Sequence, residues 1–254
     1  RNERTRMNRK LGKLPPRHDP RTFRLESSLG TRLITPPPAI NWATDVTWPV
    51  WCNDTLGCCT QVSVASAIRC WTLAAQAQTL LSDEQVIRNY SAASGYIPGN
   101  PATDQGGIEL DVLNRWVREG YERPGQPGHD YLTAFGSVPP TDPSAVRRAI
   151  AALGGLYIGV QIPNYIMQTS GDWICQPTAN QTIAGGHAVW IHGYDPDWLH
   201  FNTWGECRRM SWGWFEQFCD EAYGLLSRQN WLTIRGMSPH NEPMDALIAE
   251  MRAA

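Results

Sequence analysis

Leu56-Gly57-Cys58-Cys59-Thr60 is the stretch on which the reading of this chain turns. Gly186-His187-Ala188 follows, with His187 128 residues after Cys59; Asn202-Thr203-Trp204-Gly205 comes next, with Asn202 143 residues after Cys59. A thiol followed about 130–150 residues later by an imidazole and then a carboxamide is the order of a cysteine nucleophile, its base and the residue that orients the base. The chemistry needs these types together. A thiol near its usual pKa of about 8.5 is mostly protonated at neutral pH, and becomes a strong nucleophile only where a cation or a helix N-terminus stabilises the thiolate. Val64, Ala67, Ile68 and Trp71 recur at three- and four-residue spacing and predict a helix over residues 60–75. Cys59 then stands at its N-terminal end, where the dipole favours negative charge. His187 would take the thiol proton and later return it to a leaving group, Asn202 would orient the imidazole, and Trp204 would shield that contact from water.

The rest of the chain narrows the class. Its 254 residues, 42 % hydrophobic, are enough for a full core. No apolar run reaches about 18 residues, so no transmembrane helix is expected, and residues 1–24 lack the apolar centre of a secretory signal. The seven cysteines are odd in number and have no framework spacing, which points to a reduced compartment. Cys52, Cys58 and Cys59 have no second ligand pair at zinc spacing, so neither a metal nor a cofactor is expected.

Charge is uneven although the total is −2. Residues 1–24 carry nine Lys or Arg against Glu3 and Asp19, a local net of +7 that leaves −9 for the remainder. Such an arm reads first as a solvated, mobile tail, with docking to an acidic protein surface or to nucleic acid as the alternatives. It lacks the long helical pattern of a typical protease propeptide, which makes inhibition by the arm a minor reading. Pro15-Pro16 and Pro36-Pro37-Pro38 mark an extended connection into the folded unit.

Helices are predicted at 60–75, from an N-cap at Ser82, at 108–119 and at 144–153; strands are predicted at 156–162, 187–194, 199–203 and 231–234. Residues 124–143 read as a Pro/Gly-rich link between subdomains. Helices first and strands later suit an α+β unit with its cleft between the halves. Met244, Leu247, Ile248 and Met251 form an apolar stripe on a short terminal helix, fit either to dock back or to bind a partner.

In the order of its motifs the chain resembles the papain family of cysteine proteases, particularly its bacterial and phage branch. Ile40-Asn41-Trp42 resembles the opening of the mature domain, and residues 48–59 lie without a gap on the segment carrying the oxyanion-hole Gln and the nucleophile. Leu81-Ser82-Asp83-Glu84-Gln85 is similar to a family helix start, Gly106-Gly107 to the glycine pair lining the substrate cleft, and Asn202-Thr203-Trp204-Gly205 to Asn-Ser-Trp-Gly. Cys219-Asp220-Glu221-Ala222-Tyr223 resembles a motif of the phage branch. The resemblance implies a Cys59–His187–Asn202 triad and an oxyanion hole made by Asn53 and the amide of Cys59. It also implies substrate contacts at Gly106, Gly107 and Gly186, and Trp204 as the shield of the triad.

The departures bear on activity. Asn53 stands where the family has Gln and is shorter by a methylene, and Leu56 and Cys58 replace a disulfide cysteine and a Ser or Gly. The expectation is a papain-like α+β fold, with a basic arm over 1–38, a domain over 39–235 (helical half 39–130, β-rich half 131–235) and a tail over 236–254. The implied function is a cysteine endopeptidase acting on a peptide or protein substrate, in the cytoplasm or a phage particle and without a membrane partner. The alternative is a papain-like scaffold of weak or lost activity that serves as an assembly component of a phage particle.

Overall fold

The computed structural model describes residues 8–25, 35–124 and 128–232, together with Asp245, Ile248 and Ala249. Its first helix, α1 (Cys59–Ala74), has the expected apolar spacing, yet every residue from Cys59 to Thr72 is buried. A helix enclosed on all sides belongs between two layers rather than on a surface, and α1 lies between a helical half and a sheet. In the helical half, α2 (Asp83–Ser94) begins with a full capping box: Ser82 Oγ accepts from the Gln85 amide, and Gln85 Oε1 accepts from the Ser82 amide. Next comes α3 (Glu109–Arg118), and Gly120, at φ 72°, turns the chain just beyond it.

The strands are β1 (Ile40–Asn41), β2 (Tyr121–Glu122), β3 (His129–Asp130), β4 (Ala134–Ser137), β5 (Leu156–Pro163), β6 (Ile183–Tyr194), β7 (Trp198–Thr203), β8 (Glu206–Ser211) and β9 (Cys219–Leu226). The helices of the second half are α4 (Pro143–Leu153), α5 (Asn164–Gln168) and α6 (Trp212–Phe218). The main sheet runs β4-β9-β5-β6-β7-β8, with β1 paired to β6, and all its pairs are antiparallel. Alternation along β6 then decides which core each residue joins. Val189 and Ile191 enter the β-half core, whereas Trp190 enters the helical-half core.

Tryptophans join the layers. Trp71 of α1 packs on Trp116 of α3 at 6.2 Å and edge-on to Trp190 of β6 at 5.4 Å, and Trp173 centres the other core, 4.6 Å from Phe201 and 4.7 Å from Trp214. These tryptophans thus fill both cores and join the layers.

Three expectations change. Residues 124–143, read as a link, contain β3 and β4, whose short pairings carry little periodicity. The strand expected at 231–234 begins instead within a π-helical turn, Arg228–Leu232, and residues 233 and 234 lie outside the described residues. Finally β8 and β9 join the sheet, with α6 between them in the chain, where no elements were assigned. Ile248 of the terminal stripe is buried in the β-half core; Met244, Leu247 and Met251 lie outside the described residues. Among the described residues no helix is long and apolar enough to cross a membrane.

Candidate active site

Cys59 opens α1 beside β6, between the halves. Cys58 turns the other way, into the helical-half core, where its thiol approaches the Trp51 carbonyl at 3.5 Å. Adjacent residues at a helix start diverge by about 100°, so only Cys59 faces β6. Gly12 lies against Gly57, two residues before Cys59 in the sequence.

Gly12 belongs to the basic arm, and its presence here corrects the reading of that arm as a mobile tail. Residues 10–14 lie extended in the cleft. The Lys10 amide donates to the Asn53 carbonyl at 3.0 Å, and the Gly12 and Lys13 amides donate to the Gly186 carbonyl at 3.2 and 3.1 Å. On the opposite wall the Gly107 amide donates to the Gly12 carbonyl at 2.8 Å and the Leu14 amide to the Gly107 carbonyl at 2.9 Å. Lys13 thereby bridges Gly107 in the parallel sense and Gly186 in the antiparallel sense. Gly106, Gly107 and Gly186, singled out as substrate contacts, all line this segment.

Glycine is required on both sides of the contact. A Cβ on Gly12 would lie 1.9 Å from the Gly57 carbonyl oxygen, and one on Gly106 2.1 Å from the Gly12 oxygen. The arm is anchored beyond the cleft as well. Arg9 Nη1 donates to the Thr169 carbonyl at 2.7 Å, Arg17 pairs with Asp111, and Leu25 is fully buried in the β-half core. A long helix is not needed to occlude this cleft; five extended residues suffice, because main-chain groups supply the bonds whatever the helical pattern of the sequence.

The expected triad is not assembled in this state. His187 Nε2 lies 2.8 Å from Thr203 Oγ1, Nδ1 has no hydrogen-bond partner among the described residues, and Trp204 stacks on the ring at 4.5 Å. Trp204 also donates from Nε1 to the Lys10 carbonyl at 3.1 Å, so it covers His187 and holds the arm at once. Asn202 gives its amide to Ser66 Oγ of α1 at 2.8 Å instead. The register explains the exchange. Trp190 pairs with Asn202, so both face α1, whereas Thr203 shares the opposite face with His187. Asn53 is buried and donates from Nδ2 to the Leu56 carbonyl at 3.0 Å, bracing the turn before the nucleophile.

Burial sets the protonation states. It pushes the Cys59 thiol up to about 12, with help from the Glu109 carboxylate and against the amides of Ala188 and Gly12. It pulls His187 down to about 3, reinforced by the nearby Arg9 guanidinium. In the closed cleft burial therefore favours the neutral form of both groups over a thiolate–imidazolium pair.

Sequence reasoning missed the far end of the cleft. The Lys13 side chain is buried there, with Nζ 2.9 Å from Asp220 and 3.0 Å from Glu221 of β9. Burial alone would lower its pKa, but Glu109, Glu221 and Asp220 together hold it above the ordinary lysine value. The available signal was Cys219-Asp220-Glu221-Ala222-Tyr223, which reads as structural until its strand is placed beside β5.

No family model and no curated protein matches this chain. Solved structures do. Xylellain, a cysteine protease from Xylella fastidiosa, superposes with a TM-score of 0.67 at 20 % identity over 87 % of this chain and 97 % of that one. The Carica candamarcensis cysteine protease CMS1MS2 gives 0.54 at 17 % identity over 75 % and 99 %. Procathepsin L 3 of Tenebrio molitor larval midgut gives 0.54 at 18 % identity over 87 % and 77 %. With its α1 helix set against an antiparallel sheet and a cleft between the halves, this chain has the papain-like fold of the cysteine proteases.

Proposed function

We propose that this chain is a cysteine peptidase that cleaves peptide or amide bonds with Cys59 as nucleophile and His187 as proton carrier, and that the form described above is its closed form. One observation carries the reading: an extended peptide segment is held by main-chain hydrogen bonds to Gly107 and Gly186, with its Gly12 packed against Gly57 just before the buried Cys59. A cleft that grips main chain in this way is built to hold peptides of many sequences.

Once the arm leaves, solvent lifts the burial that keeps both groups neutral, and the Cys59 proton passes to His187. The thiolate, favoured at the start of α1, attacks the substrate carbonyl carbon, and the oxyanion faces the Cys59 amide. His187 then protonates the departing amine as the carbon–nitrogen bond breaks, leaving a thioester. Water attacks that thioester with His187 as base, the acid departs, and the thiol is restored.

Cys59 should therefore be the residue captured by an epoxide thiol-protease probe, as mapped by peptide mass spectrometry, and only when the arm is displaced. Labelling of Cys58 that survives Cys59→Ala would overturn the assignment. The pH dependence follows from the two shifts. His187 is lowered, so its contribution to closure is present above about 6.5 and lost as pH falls towards 3. Cys59 is raised, so its contribution is present below about 9 and lost as pH rises towards 12. Between these limits iodoacetamide should modify Cys59 slowly in the full chain, without the usual rise near pH 8.5.

Asn53→Ala should lower the single-turnover acylation rate by less than about tenfold, because its amide serves the Leu56 carbonyl, whereas a working oxyanion donor would cost about 10²–10³. The second reading, a scaffold of weak activity, is favoured by that same engagement and by Asn202 facing Ser66. A chain whose arm has been displaced and which still resists the epoxide would decide for it.

A further inference from the structure

Arg69 differs from the other buried cations of this chain. It lies on α1 ten residues beyond Cys59, about 15 Å further along the helix axis and so apart from the cleft. Only 7 % of the residue is exposed. Nη2 donates to the Thr47 carbonyl at 2.9 Å, but Nε and Nη1 are buried without a hydrogen-bond partner. Arg123 and Arg208, whose side chains are as deeply enclosed, pair with Asp130 and Glu206. Arg69 has no such carboxylate among the described residues, and burial, with no neighbouring charge to oppose it, holds the guanidinium below the ordinary arginine pKa.

A buried guanidinium nevertheless stays charged at neutral pH, because an arginine loses its proton only far above that range. An unpaired buried charge with two orphaned donor nitrogens is costly, and an anion would remove that cost. The space for one lies beside it. A cavity of about 450 Å³ is set between the C-terminal turn of α1 and the segment 42–47 that follows β1, and Arg69 forms part of its wall. Trp42, Val46 and Leu73 give the wall an apolar part, whereas Thr44, Thr47 and Gln78 supply hydroxyls and an amide. Asp45 also lines the cavity, and its charge disfavours an ion that carries more than one negative charge.

We propose that Arg69 and this cavity form a binding site for a small organic monocarboxylate, with the carboxylate on the guanidinium and the hydrocarbon body against Val46 and Leu73. One negative charge matches one guanidinium, and the planar fork suits a planar carboxylate. The apolar part of the wall favours a ligand with a hydrocarbon body over an inorganic oxyanion. Gln78, an exposed side chain of the wall, can turn to admit it. Since Nη2 already holds Thr47, the bound anion links α1 to the 42–47 segment and stabilises the fold in proportion to its occupancy. The site stands independently of the peptidase reading.

Calorimetric titration of the full chain with sodium isocaproate tests the site, beside isocaproamide and sodium phosphate at equal ionic strength. Isocaproate should bind at least about tenfold more tightly than either, because the amide lacks the charge and phosphate lacks the hydrocarbon body. It should also raise the thermal midpoint as its concentration increases. Arg69→Met should weaken isocaproate binding by at least about tenfold through loss of the charge-assisted hydrogen bonds. If that variant does not fold, Gln78→Glu decides: a carboxylate supplied by the wall opposes a second one and should weaken binding by about tenfold. Absence of binding at millimolar isocaproate, equal affinity for the amide, a preference for phosphate, or unchanged affinity in either variant overturns the proposal.

Discussion

Gly12→Ala is expected to raise the rates of Cys59 alkylation and of peptide hydrolysis by about 10- to 100-fold relative to the unaltered chain. The added methyl would lie 1.9 Å from the Gly57 oxygen and 2.4 Å from its carbonyl carbon, and both are backbone atoms that cannot rotate away. Overpacking a close contact costs about 1–3 kcal/mol, and each 1.36 kcal/mol is tenfold in the population of the open form. Gly12 does not have positive φ, so alanine is tolerated by its own backbone and the effect is confined to docking. Gly213→Ala is the control, since a Cβ there meets nothing within 4 Å. Lys13→Ala should act in the same direction by leaving Asp220 and Glu221 without their cation. Stopped-flow alkylation and a fluorogenic peptide read the two rates. If Gly12→Ala leaves both unchanged, the arm is not what limits access to Cys59.

The largest loss should come from the nucleophile and its base. In the Gly12→Ala background, Cys59→Ala and His187→Ala should each lower kcat by about 10⁴-fold or more, and the double variant should be hardly worse than either alone, because the two act as a unit. Thr203→Val should lower kcat more than Asn202→Ala, since Thr203 holds His187 Nε2 at 2.8 Å while Asn202 faces Ser66. A rate that survives His187→Ala would place the activity at another site. The opposite ranking of Thr203 and Asn202 would mean that opening turns Asn202 towards the imidazole, and a pH–rate profile would show it as a change in the limb belonging to His187.

Much of the architecture was legible because it is local. Ser82 with Gln85 announces α2, and the spacing of Val64, Ala67, Ile68 and Trp71 announces α1 to within a residue at each end. The strands read from residues 156–162, 187–194 and 199–203 all form, because continuous apolar runs of that length suit a buried sheet. Among the strands that were missed, β8 and β9 mix charged and apolar residues, and Asp220 and Glu221 acquire their meaning only from a lysine more than two hundred residues away.

Order and spacing along the chain determined the fold, and singled out Cys59, His187 and the glycines Gly106, Gly107 and Gly186 as one neighbourhood. Register and burial decided the rest. Whether Asn202 or Thr203 meets His187 depends on which face of β7 each occupies, a choice that one residue of slip reverses and that no motif encodes. That the basic arm lies in the cleft depends on main-chain hydrogen bonds open to any sequence, on the absence of a Cβ at Gly12, and on two β9 carboxylates paired with one ammonium. Composition shows only the arm's net positive charge; the tertiary structure supplies the acidic pocket that makes one of those charges, Lys13, the anchor.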